Sequence, residues 1–392
     1  MQLKLSDNDL VFKRRMRDFF TTQVPQELRD AVAAQRTLTR DEIVQSQRIL
    51  NSAGLAVPAW PTEWGGQDWT PTQRNIWREE MQLAHVPSPL TFNVDMAGPL
   101  IAEFGSDQQK RRFLPATANL DIWWSQGFSE PEAGSDLASL RARAARVDDV
   151  YVVTGQKTWT TLAQHGDWIF TLVRTDPDVP KQRGISLLLI DMRSEGVTVR
   201  PIELIDGSHA VNEVFFDDVQ VPVANRVGAE NRGWDYAKFL LGNERVGVAA
   251  VGSTKRLLAD AKTWAREAGP GGTSLLDDPA FAARFVELEN ELLALELTSW
   301  RVVAHSDRGK PHPASSVLKL AGSELQQAVT ELVLDLAGPM SLMMSGDGQD
   351  DRDVPNWIKT ASSQYLKFRK ASIYAGSNEV QRQIISRSIL GL

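Results

Sequence analysis

The sequence contains no cysteine, so disulfide staples, thiolate nucleophiles and cysteine-bound metals are excluded together. Histidine is scarce as well. His85, His165, His209, His305 and His312 show no metal-ligand spacing, and no metal site is expected. No run approaches the roughly 20 apolar residues needed to span a bilayer, and the opening ten residues lack the apolar centre of a signal peptide. A soluble cytoplasmic protein with no membrane partner is expected. Nor is there a basic excess: a net charge of −7 argues against nucleic acid as a partner, and the small Lys110–Arg111–Arg112 cluster reads as a solvated helix face. Internal repeats and low-complexity segments are absent. The one glycine cluster, Gly269 to Ser274, has neither a preceding strand nor a following Lys-Ser/Thr, which excludes a phosphate-binding loop there.

What is present is ordinary globular material, 392 residues with 42% hydrophobic and 24% charged, enough for two or three domains. Residues 1–121 read as helical. Apolar residues recur at helical spacing from Leu5 to Phe20, Thr39 to Glu42 and Thr70 to Gln73 fit capping boxes, and Pro71 takes the first helical position, where its missing N–H costs nothing. Gly54 and Gly105 stand where helix ends favour a left-handed residue, and the aromatic, Gly-rich loop from Trp60 to Trp69 is expected to fold back on the core. Residues 122–225 switch to short alternating runs. Arg141–Val147, Tyr151–Thr154, Asp167–Val173, Ile185–Asp191, Val197–Leu204 and Val211–Phe216 predict strands of an antiparallel barrel or sandwich. Over residues 226–392 helical periodicity returns in Trp234–Arg266, Pro279–Arg308, Pro313–Ala337 and Asn356–Ile389, which predicts a four-helix bundle and, from the helix lengths, an oligomer.

The stretch from Trp124 to Thr161 carries the functional signal. It lays out main-chain amides, the hydroxyls of Ser129, Ser135, Thr160 and Thr161, and the aromatic faces of Phe128 and Trp159, the residue types that a flat, polar, partly anionic cofactor such as a flavin needs. On composition alone, Trp159 as sheet core and Gly134 to Asp136 as a plain turn fit equally well.

The ordered pair S-E-P-E-A-G-S-D (129–136) and G-Q-K-T-W-T-T (155–161) resembles the flavin-binding middle domain of the acyl-CoA dehydrogenase family. The resemblance extends over nearly the whole chain, through W-P-T-E-W-G-G at 60–66, E-V-F-F-D-D-V-Q-V-P at 213–222 and Y-A-G-S-N-E-V-Q-R-Q-I-I at 374–385. Within the family, D-Y-A-K-F-L-L-G-N-E-R and the ending S-I-L-G-L are most similar to large subunits of the bacterial pimeloyl-CoA dehydrogenase type. The resemblance implies an α+β multidomain fold with an all-α N-terminal domain, a middle antiparallel β-barrel or sandwich and a C-terminal four-helix bundle. It implies FAD as cofactor, and an acyl-CoA thioester oxidised to the trans-2-enoyl-CoA, with electrons passed to an electron-transferring flavoprotein. A homo- or hetero-oligomer is implied too.

Such an oxidation needs a base for the α-proton while the β-hydrogen leaves as hydride. The family's frequent position for it, after the tyrosine of the last motif, is here Ala375. Some members carry the base on the first long helix of the C-terminal domain just before an arginine, where this sequence has Glu244 and Arg245, so the resemblance implies Glu244 as base. It further implies Gln126, Phe128, Ser129, Trp159 and Thr161 around the isoalloxazine and ribityl chain, Ser135 near the flavin phosphate or the thioester arm, and Ser377 and Glu379 at the adenylate. Arg245, Tyr374, Ala375 and Gly376 would line the substrate site, and the small Ala375 leaves room for a bulky acyl group. Two departures stand out. The Arg-x-x-Phe-Gly segment by which a neighbouring subunit grips the adenine diphosphate is replaced by A-R-E-A-G-P-G-G-T-S-L-L-D-D, and Asp335-Leu-Ala-Gly-Pro339 stands where a Gln and a Gly-Gly pair are usual. A carboxylate there is repelled by phosphate unless paired. These departures leave room for a structural or cofactor-completing subunit of a hetero-oligomer. A flavin oxidase or monooxygenase on the same scaffold is the remaining alternative.

Overall fold

A computed structural model of the chain describes residues 5–243, 249–304, 312–342 and 354–392. They form two compact units that interleave along the sequence: Arg40–Asp68 with Pro89–Asn243, and Met1–Thr39 with Trp69–Ser88 and Glu244–Leu392.

The first of these units is a sheet with helices. Its helical part comprises α3 (Arg40–Ser52), a π-helical turn (Phe92–Ala97) running into α5 (Gly98–Phe104), and α6 (Asp107–Ala118), whose capping box pairs Ser106 with Gln109. Trp60 is 3% exposed and donates its indole N–H to the Val94 carbonyl at 2.7 Å, so this part of the aromatic loop does fold onto the core. Gly98 is required there, since a Cβ would sit 1.8 Å from the Trp60 ring.

Seven strands follow: β1 (Trp124–Gly127), β2 (Arg143–Val147), β3 (Val150–Thr161), β4 (Trp168–Arg174), β5 (Ile185–Asp191), β6 (Val197–Ile202) and β7 (Val211–Pro222). They lie in the order β1-β4-β2-β3-β7-β6, with β5 on the other side of β4. The sheet is mixed rather than wholly antiparallel, because β1 runs parallel to β4. Strands β4 and β5 are buried along almost their whole length, which explains their near-continuous apolar sequence. In the core beside β1, Phe113 meets Trp124 and Trp168 edge to face and Trp124 lies tilted against Trp168 and Phe170, while Arg112 covers the Phe113 and Trp168 rings from outside. The unit closes with α7 (Gly233–Asn243).

The other unit is helical. Helix α1 (Asp7–Thr22) is capped by Ser6, α2 (Gln26–Ala33) follows, and α4 (Pro71–Leu83) has the anticipated Thr70–Gln73 capping box with proline in its first turn. Glu80 of α4 is 1% exposed and is met by Arg17 and Lys13; Glu79 is met by Lys255. Helices α8 (Val251–Trp264), α9 (Pro279–Ala304), α10 (Ser315–Ala337) and α11 (Asn356–Phe368) share one core through Leu258, Leu292, Leu295, Leu325, Val329 and Ala361. Helix α12 (Asn378–Ile385) follows.

Three further expectations are corrected. Gly105 is extended (φ −70°, ψ 152°), not left-handed; its role is steric, because a Cβ would lie 2.5 Å from the Ile101 carbonyl. The run Trp234–Arg266 is not one helix: Ala250 adopts φ 51°, and the neighbouring Ala249 backbone lies against Gly322 of α10, where any side chain would clash. The run Asn356–Ile389 is interrupted by left-handed Ala375 and Gly376, with α12 restarting after them.

Candidate functional site

The entry to β1 is fixed by one buried amide. Asn93 accepts from the Trp124 backbone N–H at 3.0 Å and donates to the carbonyls of Thr117 and Ile122, while the Trp124 indole donates to Thr117 Oγ1 at 2.8 Å. These bonds fix the register of β1, with Gln126 opposite Phe170. Phe128 then packs on Phe170 edge to face and is 6% exposed, whereas Gln126 and Ser129 remain half-buried.

The second motif lies on β3 beside them, with the Thr158 N–H donating to the Ser129 carbonyl at 2.9 Å. Pairing of β3 with β7 slips by one residue between Lys157 and Thr160, a bulge that contains Trp159 at φ 58°. A left-handed tryptophan is uncommon and costs about 1–2 kcal/mol. The indole is 59% exposed rather than sheet core. Thr161 is half-buried two residues on, and among the described residues the side chains of Gln126, Ser129, Ser135 and Thr161 hold no hydrogen bond. An exposed aromatic face, with unengaged amide and hydroxyl groups on its own and the neighbouring segment, fits a flat heterocycle with polar edges. Ser135 is exposed in the following turn, which Lys181 holds by bonds to Asp136 at 2.7 and 2.8 Å; that contact and the Ser139 hydroxyl hold the Asp136 carboxyl below its ordinary pKa.

Behind these residues sits a pair that the sequence reading missed. Lys157 is wholly buried, with Nζ 2.7 Å from Glu130 Oε1 and 3.3 Å from the Phe128 carbonyl. Glu130 also accepts the backbone N–H groups of Arg141 (2.6 Å) and Ala142 (2.9 Å). Burial pushes Lys157 down to about 8 despite Glu130. The available signal was parity: Val153, Gly155 and Lys157 share one side of the strand, so the lysine falls at an inward position and calls for an acid.

The remaining site residues lie in the helical unit. Tyr374, Ala375 and Gly376 form the turn before α12, Tyr374 42% exposed, and Ser377 caps the helix by accepting the Val380 N–H. Glu379 is exposed in the first turn; its own amide and the Ser377 hydroxyl lower its pKa, keeping it anionic. This turn also has an unanticipated anchor. Lys319 of α10 is fully enclosed and donates to Asn378 Oδ1 at 2.9 Å, an acceptor it shares with Ser323; burial lowers its pKa to about 8, opposed by Glu379 and Glu324. Asp335 is paired with Arg284 of α9 at 2.5 Å, which neutralises the carboxylate that departs from the family pattern. Glu244 and Arg245 lie outside the described residues. The structure thus brings Gln126, Phe128, Ser129, Trp159 and Thr161 together in one unit, and Tyr374 to Glu379 in the other.

Comparison with known proteins matches all three parts of the chain to described domains. The N-terminal, middle and C-terminal domains of acyl-CoA dehydrogenases match residues 6–121, 125–219 and 231–390. The acyl-CoA dehydrogenase FadE26 of Mycobacterium tuberculosis is 32% identical over 410 residues, spanning 100% of this chain and 99% of that protein. Among solved structures, the ChsE4–ChsE5 complex from Mycobacterium tuberculosis has 32% identity, a TM-score of 0.84 and coverage of 100% and 99%. The Tcur3481–Tcur3483 steroid ACAD (acyl-CoA dehydrogenase) has 28% identity, a TM-score of 0.86 and the same coverage.

Proposed function

Because this chain belongs to the acyl-CoA dehydrogenase family, an FAD-dependent family of oxidoreductases, we propose that it desaturates an acyl-CoA thioester between Cα and Cβ, with Glu244 removing the α-proton. The observation that carries this reading is the exposed, left-handed Trp159 beside Gln126, Ser129 and Thr161, whose side-chain polar groups are unengaged. FAD held there supplies the hydride acceptor for the β-hydrogen. Phe128 and Trp159 offer ring surface, and Gln126, Ser129 and Thr161 offer edge hydrogen bonds. Ser135 serves the phosphate or the thioester arm, and Ser377 and Glu379 the adenylate, the anionic Glu379 suiting hydroxyl or amine donors better than phosphate. Arg245 steadies Glu244 or the pantetheine, and Tyr374, Ala375 and Gly376 border the thioester.

Labour divides along the sequence boundaries, with residues 122–225 holding the flavin ring and 226–392 supplying the base and the oligomer contacts, beside the helical 1–121. The small Ala375, together with the steroid named for one similar structure, favours a bulky ring-bearing acyl group. Electrons leave to an electron-transferring flavoprotein. Glu244→Gln tests the assignment: the variant should bind FAD with wild-type colour yet lose bleaching by an acyl-CoA that bleaches the parent. Full retained turnover would remove Glu244 from the role of base.

A second reading rests on a separate observation. The missing Arg-x-x-Phe-Gly segment favours assembly with a different acyl-CoA dehydrogenase-like chain that completes the adenine half of the cofactor, in line with the two-component ChsE4–ChsE5 complex. Flavin content per chain, alone and coexpressed with such a partner, separates the two.

A further inference from the structure

We propose that the Lys157–Glu130 pair is a positioning clamp, holding the Phe128–Ser129 peptide and the strained Trp159 in the geometry that receives the flavin ring before any ligand arrives. The inference rests on the functional reading above and adds to it two residues that face away from the ligand.

The pair is buried at 0% and 8% side-chain exposure, where two charges gain little over well-packed apolar groups. Its presence therefore calls for something a methionine in the same space does not do. Three segments meet on it. The lysine reaches the Phe128 carbonyl just after β1, the glutamate takes the N–H groups of Arg141 and Ala142 at the approach to β2, and the lysine itself opens the bulge in β3. Arg174 also bears on Lys157, and its guanidinium is spent on the carbonyls of Lys181, Ala138 and Leu140.

Two residues beyond the lysine, Trp159 stands at φ 58°, a conformation that persists only when its neighbours over-determine it. On one side lie the Lys157 bond and the Thr158–Ser129 bond; on the other, Asn212 Nδ2 donates to the Thr160 carbonyl at 3.2 Å. Releasing the lysine frees the first anchor. The bulge can then relax toward a regular strand, carrying the indole away from the place where it meets the ring. The Phe128–Ser129 peptide loses its hold in the same step.

The test compares wild type, Lys157→Met and the neutral double variant Lys157→Met/Glu130→Gln. For each apoprotein the FAD dissociation constant is measured from flavin fluorescence quenching, together with the visible absorption envelope of bound flavin and the unfolding midpoint. The single variant should lose stability, because a buried carboxylate is left unpaired. The double variant should recover most of that stability yet bind FAD about tenfold more weakly, with a spectrum shifted toward free flavin. A double variant with the wild-type dissociation constant and spectrum would overturn the clamp and leave the pair a device of the fold alone. A wild-type protein that takes up no FAD, alone or coexpressed with an acyl-CoA dehydrogenase-like partner, would instead overturn the functional reading on which the clamp stands.

Discussion

Trp159 combines properties that a core tryptophan lacks: a left-handed backbone, a place inside a strand bulge, and an indole turned outward at 59% exposure. Trp159→Ala should leave the thermal midpoint of the apoprotein nearly unchanged, within about 0.5 kcal/mol, since little is buried. FAD should bind about tenfold more weakly through loss of an aromatic face. Unchanged FAD affinity would return the residue to a purely structural role. Lys157 carries a pH signature as well. Burial, only partly offset by Glu130, holds its folded-state pKa at about 8 against 10.5 for the free side chain. Between those values the unfolded chain binds more protons, so stability contributed through this group is lowest below pH 8 and rises toward pH 10.5. Denaturant unfolding of wild type and Lys157→Met should therefore show a larger destabilisation at about pH 10 than at about pH 7. The reverse trend would mean that the lysine gains more from Glu130 than it loses on burial.

At the scale of elements, the strands were legible where a short apolar or alternating run stood between turn residues: Ile185–Asp191 coincides with β5, and Arg141–Val147, Asp167–Val173 and Val197–Leu204 overlap β2, β4 and β6 to within two residues at either end. The sequence pattern ends β3 at Thr154, where Gly155 and the polar Gln156 and Lys157 interrupt the apolar run, but the strand continues to Thr161. That glycine is needed: at φ 151°, a Cβ on it would lie 2.6 Å from the Ala142 backbone. The break at Ala250 left no trace, since left-handed alanine has no local signature and is imposed by packing, whereas Gly376 and the capping Ser377 do mark the break at Ala375. For the site, residue types suited to a flavin were readable from two motifs, while the Lys157–Glu130 and Lys319–Asn378 contacts join positions far apart in sequence that local periodicity does not link. Close packing also makes Gly98 a sensitive position. Gly98→Ala should destabilise the protein by about 1–3 kcal/mol through its clash with the Trp60 ring, read as a lowered unfolding midpoint. A neutral substitution would mean that the indole can shift without losing its bond to Val94.

At the scale of the whole molecule, the helical unit leaves Ile373, Leu342, Leu390 and Leu392 more than 60% exposed, with Met340, Tyr374 and Ile389 above 40%. Apolar side chains gathered in the last part of the chain are the expected material of a subunit contact. Among the described residues no helix is long and apolar enough to cross a membrane. Light scattering should report an assembly larger than 43.5 kDa. If the cofactor is completed by a different chain, coexpression with one should raise the flavin bound per chain; a monomer with full flavin content would sink both forms of the assembly argument. The account as a whole turns on whether the chain draws reducing equivalents from an acyl thioester. Straight-chain, branched, dicarboxylic and ring-bearing acyl-CoA esters, each titrated anaerobically into the FAD-loaded protein with its partner where one is required, measure this directly through the flavin absorbance. Bleaching by a bulky ring-bearing ester, absent in Glu244→Gln, is the predicted result; flavin that no ester reduces would contradict the account.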